Sequence, residues 1–556
     1  MRGLRWDILR NTKHEKERSS PLRGRNMKSI VDVLLENRGL ITEKAKKEFF
    51  KPKNPKEITL KELGIKEIEI ERAKRRILKA KKSGEKVVVY GDYDADGVTA
   101  TAIMWEGLYG MGIDVVPYIP DRVSEGYGIG EARITKLKTQ IPNLGLIVTV
   151  DNGIVANEAV EIANSLGIDV IITDHHSVGK KEPNALAVVH TTEISGAGVA
   201  WVVIRELGVE MNLELSAIGT VADQMPLLGA NRSIVKWGIV DLNHTGRLGL
   251  LAMFEKAGVS LGEIGMREIN YVIAPRINAS GRLGSAMDSL RLLCTKKRDR
   301  AGEIAEVLQK VNIERQKLVE ESVVRAVGQV GSEMLDGILV IAHEEYHEGT
   351  IGLVASALVE KYYLPAVVFS KGKKISKASA RSISGFNIIE TVRGLENYLV
   401  AGGGHPMAAG FSVKTSQLTE FTEKLIAISK PILTGEVLKK SLRIDLEMDF
   451  SKIDWELVAA IEDFGPFGLG NPKPFFCTRE TMVNEIKPVG EGGKHLKMTL
   501  EQGGREYGAI AFGMGEVMGE IKKGEKVDVV YSLERNVWNG RESMQLIVKD
   551  IRASSR

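Results

Sequence analysis

Aspartates crowd the stretch VVVYGDYDADG, residues 87–97, where Asp92, Asp94 and Asp96 fall within five positions. Asp151 follows in LIVTVDNG, Asp174 with His175 and His176 in VIITDHH, and Asp223 in GTVADQMPL. Carboxylates brought together repel and raise one another's pKa unless a cation compensates them. An isolated DxDxDG would suit a Ca²⁺-type loop or a solvated turn, and an isolated His pair a core contact. Several such clusters meeting in one place instead predict a metal site. Oxygen and imidazole donors without thiolate favour Mn²⁺ or Mg²⁺ over structural zinc. A set this large can hold two ions ~3.5–4 Å apart, an arrangement that activates a water and stabilises the leaving oxygen in phosphoester or phosphoanhydride cleavage.

Such residues need elements that bring them to one edge. Apolar runs VVVY (87–90), VVPYI (115–119), LIVTV (146–150), VIIT (170–173) and LAVV (186–189) are short, β-branched and bounded by polar residues. Segments with helical spacing, such as TATAIMWEGLYGMG and NEAVEIANSLG, lie between them. Strands alternating with helices predict βαβ units and a parallel sheet covered on both faces. In open sheets of this kind ligands bind at the carboxyl ends of the strands, where the aspartates of 92–96, Asp151 and the 174–176 cluster stand. Residues 28–83 read as helical and stop at Gly84. A long helix is predicted over 298–330, and a second α/β unit from ILVIAHEEY through LPAVVF to residue 430. The remainder, with SLRIDLEMDF, HLKMTLEQ and VDVVYSLERNVWNGRESMQLIV, alternates with period two and carries the hairpin signal Asn539-Gly540, which predicts a small antiparallel β-barrel. The chain thus divides into an N-terminal basic tail and helical segment (1–83), a catalytic α/β domain (84–297), a connecting helix (298–332), a smaller substrate-binding α/β domain (333–432) and a β-barrel (433–556).

With 556 residues, 43% hydrophobic and 27% charged, the composition is that of a multidomain globular protein. No apolar run approaches the roughly 20 residues of a membrane span, and the N-terminus lacks the apolar core of a secretory signal, so the reading is cytoplasmic with no membrane partner. Only Cys294 and Cys477 are present, which argues against a disulfide framework or a cysteine-built metal site. A net charge of +4 neither requires nor excludes nucleic acid. Residues 1–26, with eight Lys/Arg against three acids, read as a solvated tail, or as residues ahead of a true start at Met27.

In this order and spacing, DYDADG, VDNG, TDHH and VADQMPL resemble the four signature motifs of the DHH phosphoesterase superfamily. APRINASGRLG (274–284), HEGTIGLVAS (347–356), ASARSISGFNI (378–388) and GGGHPMAAGFSV (402–413) resemble the RecJ family of single-stranded-DNA exonucleases. FGPFGLGNPKPFF (464–476) resembles the entrance to that family's OB-fold domain. The resemblance implies a parallel-sheet DHH domain joined by the long helix to a smaller DHH-associated α/β domain, followed by a C-terminal OB-fold barrel. It also implies that Asp94, Asp96, Asp151, His175 and Asp223 hold two Mn²⁺ or Mg²⁺ ions, with Asp151 as bridge. Asp92 and His176 are the catalytic residues beside them, Asp92 at or behind the ligands and His176 orienting a ligand or donating toward the scissile phosphate. Arg381, Ser382, the run Gly402, Gly403 and Gly404 with His405, and His347 would form a phosphate pocket of cation, hydroxyl and backbone N–H groups. Arg276, Asn278 and Arg282 would reach phosphates from the linker side, their alternative being a helix cap with surface charges. Arg122 and Tyr127 would contact the terminal nucleotide. In the barrel, Trp538, Lys494, Lys497 and Arg541 are candidates for a sequence-tolerant single strand, Trp538 fitting barrel core equally well.

The implied activity is 5′-to-3′ hydrolysis of single-stranded DNA to mononucleotides in recombination and repair, by a monomer whose partners include a helicase and a single-strand-binding protein. One departure is His190-Thr191-Thr192, where bacterial members carry an Asn-Pro element and a longer insertion. Competing readings are a related enzyme acting on short RNA or with 3′-to-5′ polarity, an inorganic pyrophosphatase, and an inactive replication scaffold. The barrel weighs against short-RNA and pyrophosphatase readings, and the intact aspartate motifs against the scaffold.

Overall fold

A computed structural model describes residues 4–9, 27–122, 124–126, 128–331 and 337–554. In chain order, strand β1 (Arg5–Ile8) precedes helices α1 (Met27–Glu36), α2 (Glu43–Phe50) and α3 (Glu67–Ser83). The alternation then runs β2 (Lys86–Tyr90), α4 (Ala95–Gly110), β3 (Val115–Tyr118), α5 (Glu131–Gln140), β4 (Leu144–Val150), α6 (Asn157–Ser165), β5 (Asp169–Asp174), β6 (Ala187–His190) and α7 (Gly196–Glu206). Helices follow: α8 (Glu214–Ala222), α9 (Gly229–Asn243), α10 (Leu248–Ala257), α11 (Met266–Glu268) continued by a π-helical turn Ile269–Ile273, α12 (Ala274–Leu283), α13 (Ala286–Cys294) and the long α14 (Arg298–Gln329). The second sheet contains β7 (Leu339–His343), β8 (Ala366–Ser370), β9 (Ile375–Arg381), β10 (Leu399–His405) and β11 (Ala408–Lys414), with α15 (Ile351–Tyr362), α16 (Ile388–Arg393) and α17 (Leu418–Ser429). The last part holds β12 (Ser441–Ile444), β13 (Leu446–Glu447), α18 (Trp455–Asp463), β14 (Phe476–Val489), β15 (His495–Gln502), β16 (Arg505–Ala511), β17 (Lys526–Trp538) and β18 (Arg541–Ala553).

Contacts divide the described residues into two units, one drawn from Met1–Pro52, Pro226–Gly229 and Lys439–Arg556, the other from Lys53–Met225 and Ala230–Leu438. In the larger unit the first sheet is parallel, in the order β3-β2-β4-β5-β6. Its strands are apolar on both faces because helices cover both, and Val87, Val88 and Val89 are fully buried. Each such side chain contributes roughly 1.5–3 kcal/mol of burial. Register is what serves the site: Tyr90 lies beside Thr149, Val150 beside Thr173, and Asp174 beside His190, so neighbouring strands end at the same edge. Helix α3 stops at Gly84, φ +64, as its sequence predicts. The second sheet, order β10-β11-β9-β8-β7, is mixed: β7 and β8 are parallel and the remaining pairs antiparallel.

In the smaller unit β13-β14-β15-β16-β18-β17 is closed by β14 against β17. Asn539 and Gly540, both at positive φ, make the two-residue turn between β17 and β18. The expected single helical segment of 28–83 is instead broken into pieces shared between the units. Ile30, Leu34, Leu35 and Phe49 of α1 and α2 join Phe450, Phe464, Phe476 and Tyr531 in the barrel core, whereas α3 belongs to the larger unit. The expected solvated tail also needs correction over its described residues. β1 pairs in parallel with β12, and Trp6 donates to Asp550 at 2.6 Å beneath the Arg552 guanidinium. Among the described residues, no helix is long and apolar enough to cross a membrane.

Candidate metal centre and phosphate-binding face

The aspartate loop begins where β2 ends. Asp94 caps α4, accepting from the Gly97 N–H at 3.0 Å, and Asp96 stands in the helix's first turn, where the positive end of the helix favours an anion. Gly97 is required by contact: a Cβ there would lie 2.6 Å from that of Asp92. The Asp96 carboxylate is also held by the N–H groups of Gly196 (2.7 Å) and Ala197 (3.0 Å), which open α7. Asp151 takes φ +60 and donates its N–H to the Thr173 carbonyl at 3.0 Å. Asp223 is the C-cap that follows α8, its N–H donating to the Gly219 carbonyl.

These elements bring the donors together as the sequence anticipates. His175 Nε2 lies 3.1 Å from Asp151 Oδ1, 3.7 Å from Asp96 Oδ2 and 3.7 Å from Asp223 Oδ2. Three overlapping groups result, Asp96–His175–Asp223, Asp92–Asp94–Asp151 and Asp151–His175–His176, each with its donor atoms within 4.8 Å of one another. Asp92 Oδ1, Asp151 Oδ1 and His175 Nε2 are buried without a hydrogen-bond partner. Orphaned buried acceptors facing one another are what divalent cations would satisfy, and the oxygen-rich donor set fits Mn²⁺ or Mg²⁺.

Electrostatics agrees. Burial, followed by the charge of Asp94, pushes Asp92 well above the ordinary range and Asp96 up to about 7. Burial with Asp96 and Asp94 raises Asp151 and lifts Asp223 to about 8. His175 falls to about 4 through burial and the neighbouring His176, which keeps the imidazole neutral. Asp174 is not a donor to this set. Its oxygens accept from the N–H groups of Ile154, His175 and His176 and from His176 Nδ1 at 2.8 Å. Burial opposes the charge on His176, but Asp174 overcomes it and raises the imidazole to about 9. His190, the residue that departs from the expected pattern, braces the same loop by donating Nε2–H to the His176 carbonyl at 2.7 Å.

Across α12 the charge changes sign. Gly281 seats α12 on the Tyr93 carbonyl, where a Cβ would meet the oxygen at 2.3 Å. Arg282 then spans the gap, donating to the Gly349 carbonyl at 2.8 Å in the loop before α15. Burial, then the charges of Arg122, Arg381 and Arg315, depress it to about 10, with Asp94 as the opposing influence. Among the described residues, none of Arg122, Arg282, Arg315 and Arg381 forms an ion pair with a carboxylate. Arg122 lies over Tyr93, Arg315 donates to Asn312 at 2.7 Å, and Arg381 donates to Ser379 Oγ at 3.1 Å and packs on Gly352 in the first turn of α15. Guanidinium groups gathered without counter-ions make an anion site. His347 Nδ1 accepts from the Gly349 N–H, which shapes the same loop.

Other expected contacts fall differently. Asn278 Oδ1 caps α4 through the Ala95 N–H at 2.9 Å, and Arg276 is pinned by Gln309 and the Val272 carbonyl. Ser382 Oγ donates to the Phe386 carbonyl at 2.5 Å and holds a turn. The glycine run is not a loop but the exposed edge strand β10. Gly402 and Gly404 are needed because a Cβ on Gly404 would meet the Ala408 carbonyl at 2.3 Å and one on Gly402 the Phe411 Cβ at 2.9 Å, whereas Gly403 faces open space. Register nevertheless keeps these residues with Arg381. His405, Ala408 and Arg381 form one cross-strand row, and Gly403, Gly410 and Ser379 the next. That leaves the Gly403–Gly410 pair without side chains beside the row of His405, Ala408 and Arg381. Tyr127 lies outside the described residues.

Sequence reasoning missed Arg315, hidden in the charged helix α14, and Ser379, two residues before Arg381. It also missed Gly196 and Gly219, whose Cβ atoms would strike Asp151 and Asp96 at 2.4 and 2.2 Å. Glycine inside a helix was the available signal.

The chain matches the DHH family N-terminal domain over residues 86–223, the DHHA1 domain over 335–430 and the RecJ OB domain over 444–550. It is 35% identical to a single-stranded-DNA-specific exonuclease RecJ of Bacillus subtilis, over 99% of this chain and 71% of the relative. Against the Thermus thermophilus protein of the same name, identity is 33% over 85% of this chain and 69% of that one. The crystal structure of Thermus thermophilus RecJ with Mn²⁺ superposes with a TM-score of 0.82 at 29% identity, covering 95% of this chain and 76% of that one. Exonuclease RecJ bound to manganese gives a TM-score of 0.57 at 34% identity, covering 65% and 94%.

Proposed function

This chain belongs to the RecJ family of single-stranded-DNA-specific exonucleases, and from that premise we propose that it removes mononucleotides from the 5′ end of single-stranded DNA using two Mn²⁺ or Mg²⁺ ions. The family's activity, metal-dependent hydrolysis of single-stranded DNA serving recombination and repair, is this chain's activity. Polarity, product size and the roles of individual residues are our reading. The observation that carries it is the adjacency of three orphaned buried donors, on Asp92, Asp151 and His175, to a group of arginines that lack counter-ions, with Arg282 between them.

When bound, the ions neutralise the phosphate charge and lower the pKa of the attacking water. Asp94, Asp96, Asp151, His175 and Asp223 would hold them, with Asp151, 3.1 Å from His175, shared between donor groups. His176, kept protonated by Asp174, presents a cation beside the scissile phosphate. Arg381, Arg282 and the α15 N-terminus fix the terminal phosphate, so that the next phosphodiester lies on the acidic side of α12. Bare Gly403 and Gly410 let the strand approach the second sheet closely. In the barrel unit, Trp538 is 73% exposed at the tip of the β17–β18 hairpin, which favours a stacking role over barrel core. Lys487 and Lys497 face each other across β14 and β15, an arrangement that suits a phosphate backbone.

The test is digestion of oligonucleotides labelled at either end, with Mn²⁺ or EDTA, beside Asp94→Ala and Arg381→Ala. A 5′ label should leave first as a mononucleotide. EDTA and Asp94→Ala should abolish cleavage, and Arg381→Ala should raise KM most for 5′-phosphorylated strands. Early release of the 3′ label would reverse the polarity. Cleavage persisting in EDTA would remove the metals from the mechanism. A helicase, a single-strand-binding protein, a monomeric state and a cytoplasmic location complete the proposal, consistent with the activity.

A further inference from the structure

Helices α4 and α8 meet at the acidic cluster and are tied together again at the end far from it. Asp96 stands in the first turn of α4 and Asp223 closes α8. The two helices run antiparallel, so Glu106, near the end of α4, comes close to Glu214 in the first turn of α8. At the acidic end their contact is bare: a Cβ on Gly219 would overlap Asp96 and Thr99. Among the described residues, no side chain of α4 hydrogen-bonds one of α8. Toward the start of α7, the side chains of α8 make neutral hydrogen bonds, Thr220 Oγ1 with Ser195 Oγ (3.1 Å) and Ser216 Oγ with the Ala197 carbonyl (3.4 Å). The polar link between α4 and α8 is Arg247, the residue that precedes α10. Its Nη1 donates to both oxygens of Glu106 at 2.9 Å, and its Nε to Glu214 Oε1 at 2.8 Å. Nη1 also reaches the Leu293 carbonyl of α13 at 2.9 Å.

All three side chains are largely buried, Glu106 and Arg247 at 13% and 12% exposure and Glu214 at 4%. Glu214 Oε2 has no hydrogen-bond partner. Taking such charges out of water offsets much of their attraction, and apolar side chains of similar volume often stabilise as well or better. The role a buried triad can serve is register, because a shifted helix leaves a buried charge unpaired. Arg247 is itself held in place: a Cβ on Gly249 would overlap the Leu292 carbonyl, which seats α10 on α13. A slide of α8 by one turn along α4 would carry Asp223 about 5.4 Å with it.

We propose that Arg247 is a positioning residue for the metal centre: by clamping Glu106 and Glu214 it sets the register of α8 against α4, and with it the place of Asp223 opposite Asp96 and His175. The inference rests on reading Asp96 and Asp223 as metal ligands. Arg247 itself touches neither the donors nor the arginines around Arg282, so its influence reaches the site through the two helices alone.

The probe is the triple variant Glu106→Leu, Glu214→Leu, Arg247→Met, which removes the charges together and leaves none unpaired. Three properties of the full chain are measured: Mn²⁺ binding by electron spin resonance titration, kcat and KM on single-stranded DNA, and the melting temperature. The triple variant should melt no lower than the parent, yet bind one of two Mn²⁺ ions roughly tenfold more weakly, the lower end of what losing an orienting partner costs a metal site. One ion alone should weaken because Asp223 belongs to the Asp96–His175–Asp223 group and not to Asp92–Asp94–Asp151. At limiting Mn²⁺, kcat should fall while KM for DNA holds, since the arginines around Arg282 are untouched. Arg247→Lys keeps the charge but cannot fork between two carboxylates, and should show the same changes in smaller measure. It carries the test if the triple variant fails to fold. Phe421→Leu, in the core beneath the second sheet, is the control for lost stability and should melt lower while binding Mn²⁺ as the parent does. Parental Mn²⁺ affinity and kcat in the folded triple variant, or in Arg247→Lys if it stands alone, overturn the positioning role. Equal weakening of both ions overturns it as well, since that marks a general loosening. If Asp223→Ala itself binds Mn²⁺ normally, the ligand reading falls and the inference with it.

Discussion

Asp151 holds its carboxylate on a backbone turned to φ +60, where an ordinary side chain costs roughly 1–2 kcal/mol. Its N–H to Thr173, and Asn152 Nδ2 to the carbonyls of Tyr90 and Val150, keep it there. The same residue is one of several carboxyls that burial and mutual repulsion raise, and this has a measurable sign. Asp96, near 7, and Asp223, near 8, bind protons in the folded metal-free protein at pH values where the unfolded chain has released them. Their contribution to stability is complete below the unfolded pKa and disappears as pH rises through 7 and 8. His175, depressed to about 4, acts in the opposite sense only below its unfolded pKa near 6.5, whereas His176, raised to about 9, loses stabilisation over 6.5 to 8.5 in the same direction as the carboxyls. Metal-free protein should therefore melt at least ~3 °C lower at pH 8.5 than at 6.5, about what 1 kcal/mol is worth in a domain of this size. Saturating Mn²⁺ should reduce the decline to the part that His176 contributes, and Asp223→Asn should reduce it less. Differential scanning calorimetry at the two pH values checks all three, and a flat profile without metal would contradict the assignment.

Helix α12 is the element on which the two halves of the site depend, because it touches the aspartate loop through Gly281 and the second sheet's loop through Arg282. Gly281→Ala should push the helix off the Tyr93 carbonyl and lower kcat by roughly 100-fold, the scale of a 1 Å misplacement. Gly302→Ala, in open space on α14, should be neutral or add about 0.5–1 kcal/mol of stability. Equal effects from the two substitutions would show that helix propensity, not contact, governs the first. None of this distinction could be read from sequence, where both are helix glycines. The strands, by contrast, were legible because each VVVY- or VIIT-like run and its terminal acid lie in one short window, and periodicity reports local order. Arg315 was not, since one arginine in a charged helix looks like any other until tertiary packing turns it toward Arg282. That the glycine run is a strand was not legible for a related reason: only the partner strand β11 explains why Gly402 and Gly404 carry no side chain.

At the scale of the molecule, one unit carries the acidic cluster and the unpaired arginines, and the other the barrel surface. Trp538→Ala and Lys497→Glu should raise KM on long strands by roughly 5- to 100-fold, the span expected from losing about 1–3 kcal/mol of base stacking or a phosphate contact. Cleavage of tetranucleotides should be unaffected. Lys497→Glu should also flatten the salt dependence of binding, which fluorescence anisotropy at several NaCl concentrations will measure. That the barrel existed was legible in its period-two pattern, whereas its dependence on α1 and α2 was not, because no local window spans residues 30 and 531. This discontinuity has a consequence during synthesis. The apolar stripe of Ile30, Leu34 and Leu35 leaves the ribosome early, but the barrel that buries it is translated last. At ~5–20 residues per second the stripe waits roughly 25–100 s for its partner. For that interval the nascent chain carries an uncovered sticky helix, which makes it a client for chaperones and ties the protein's yield to the speed of elongation.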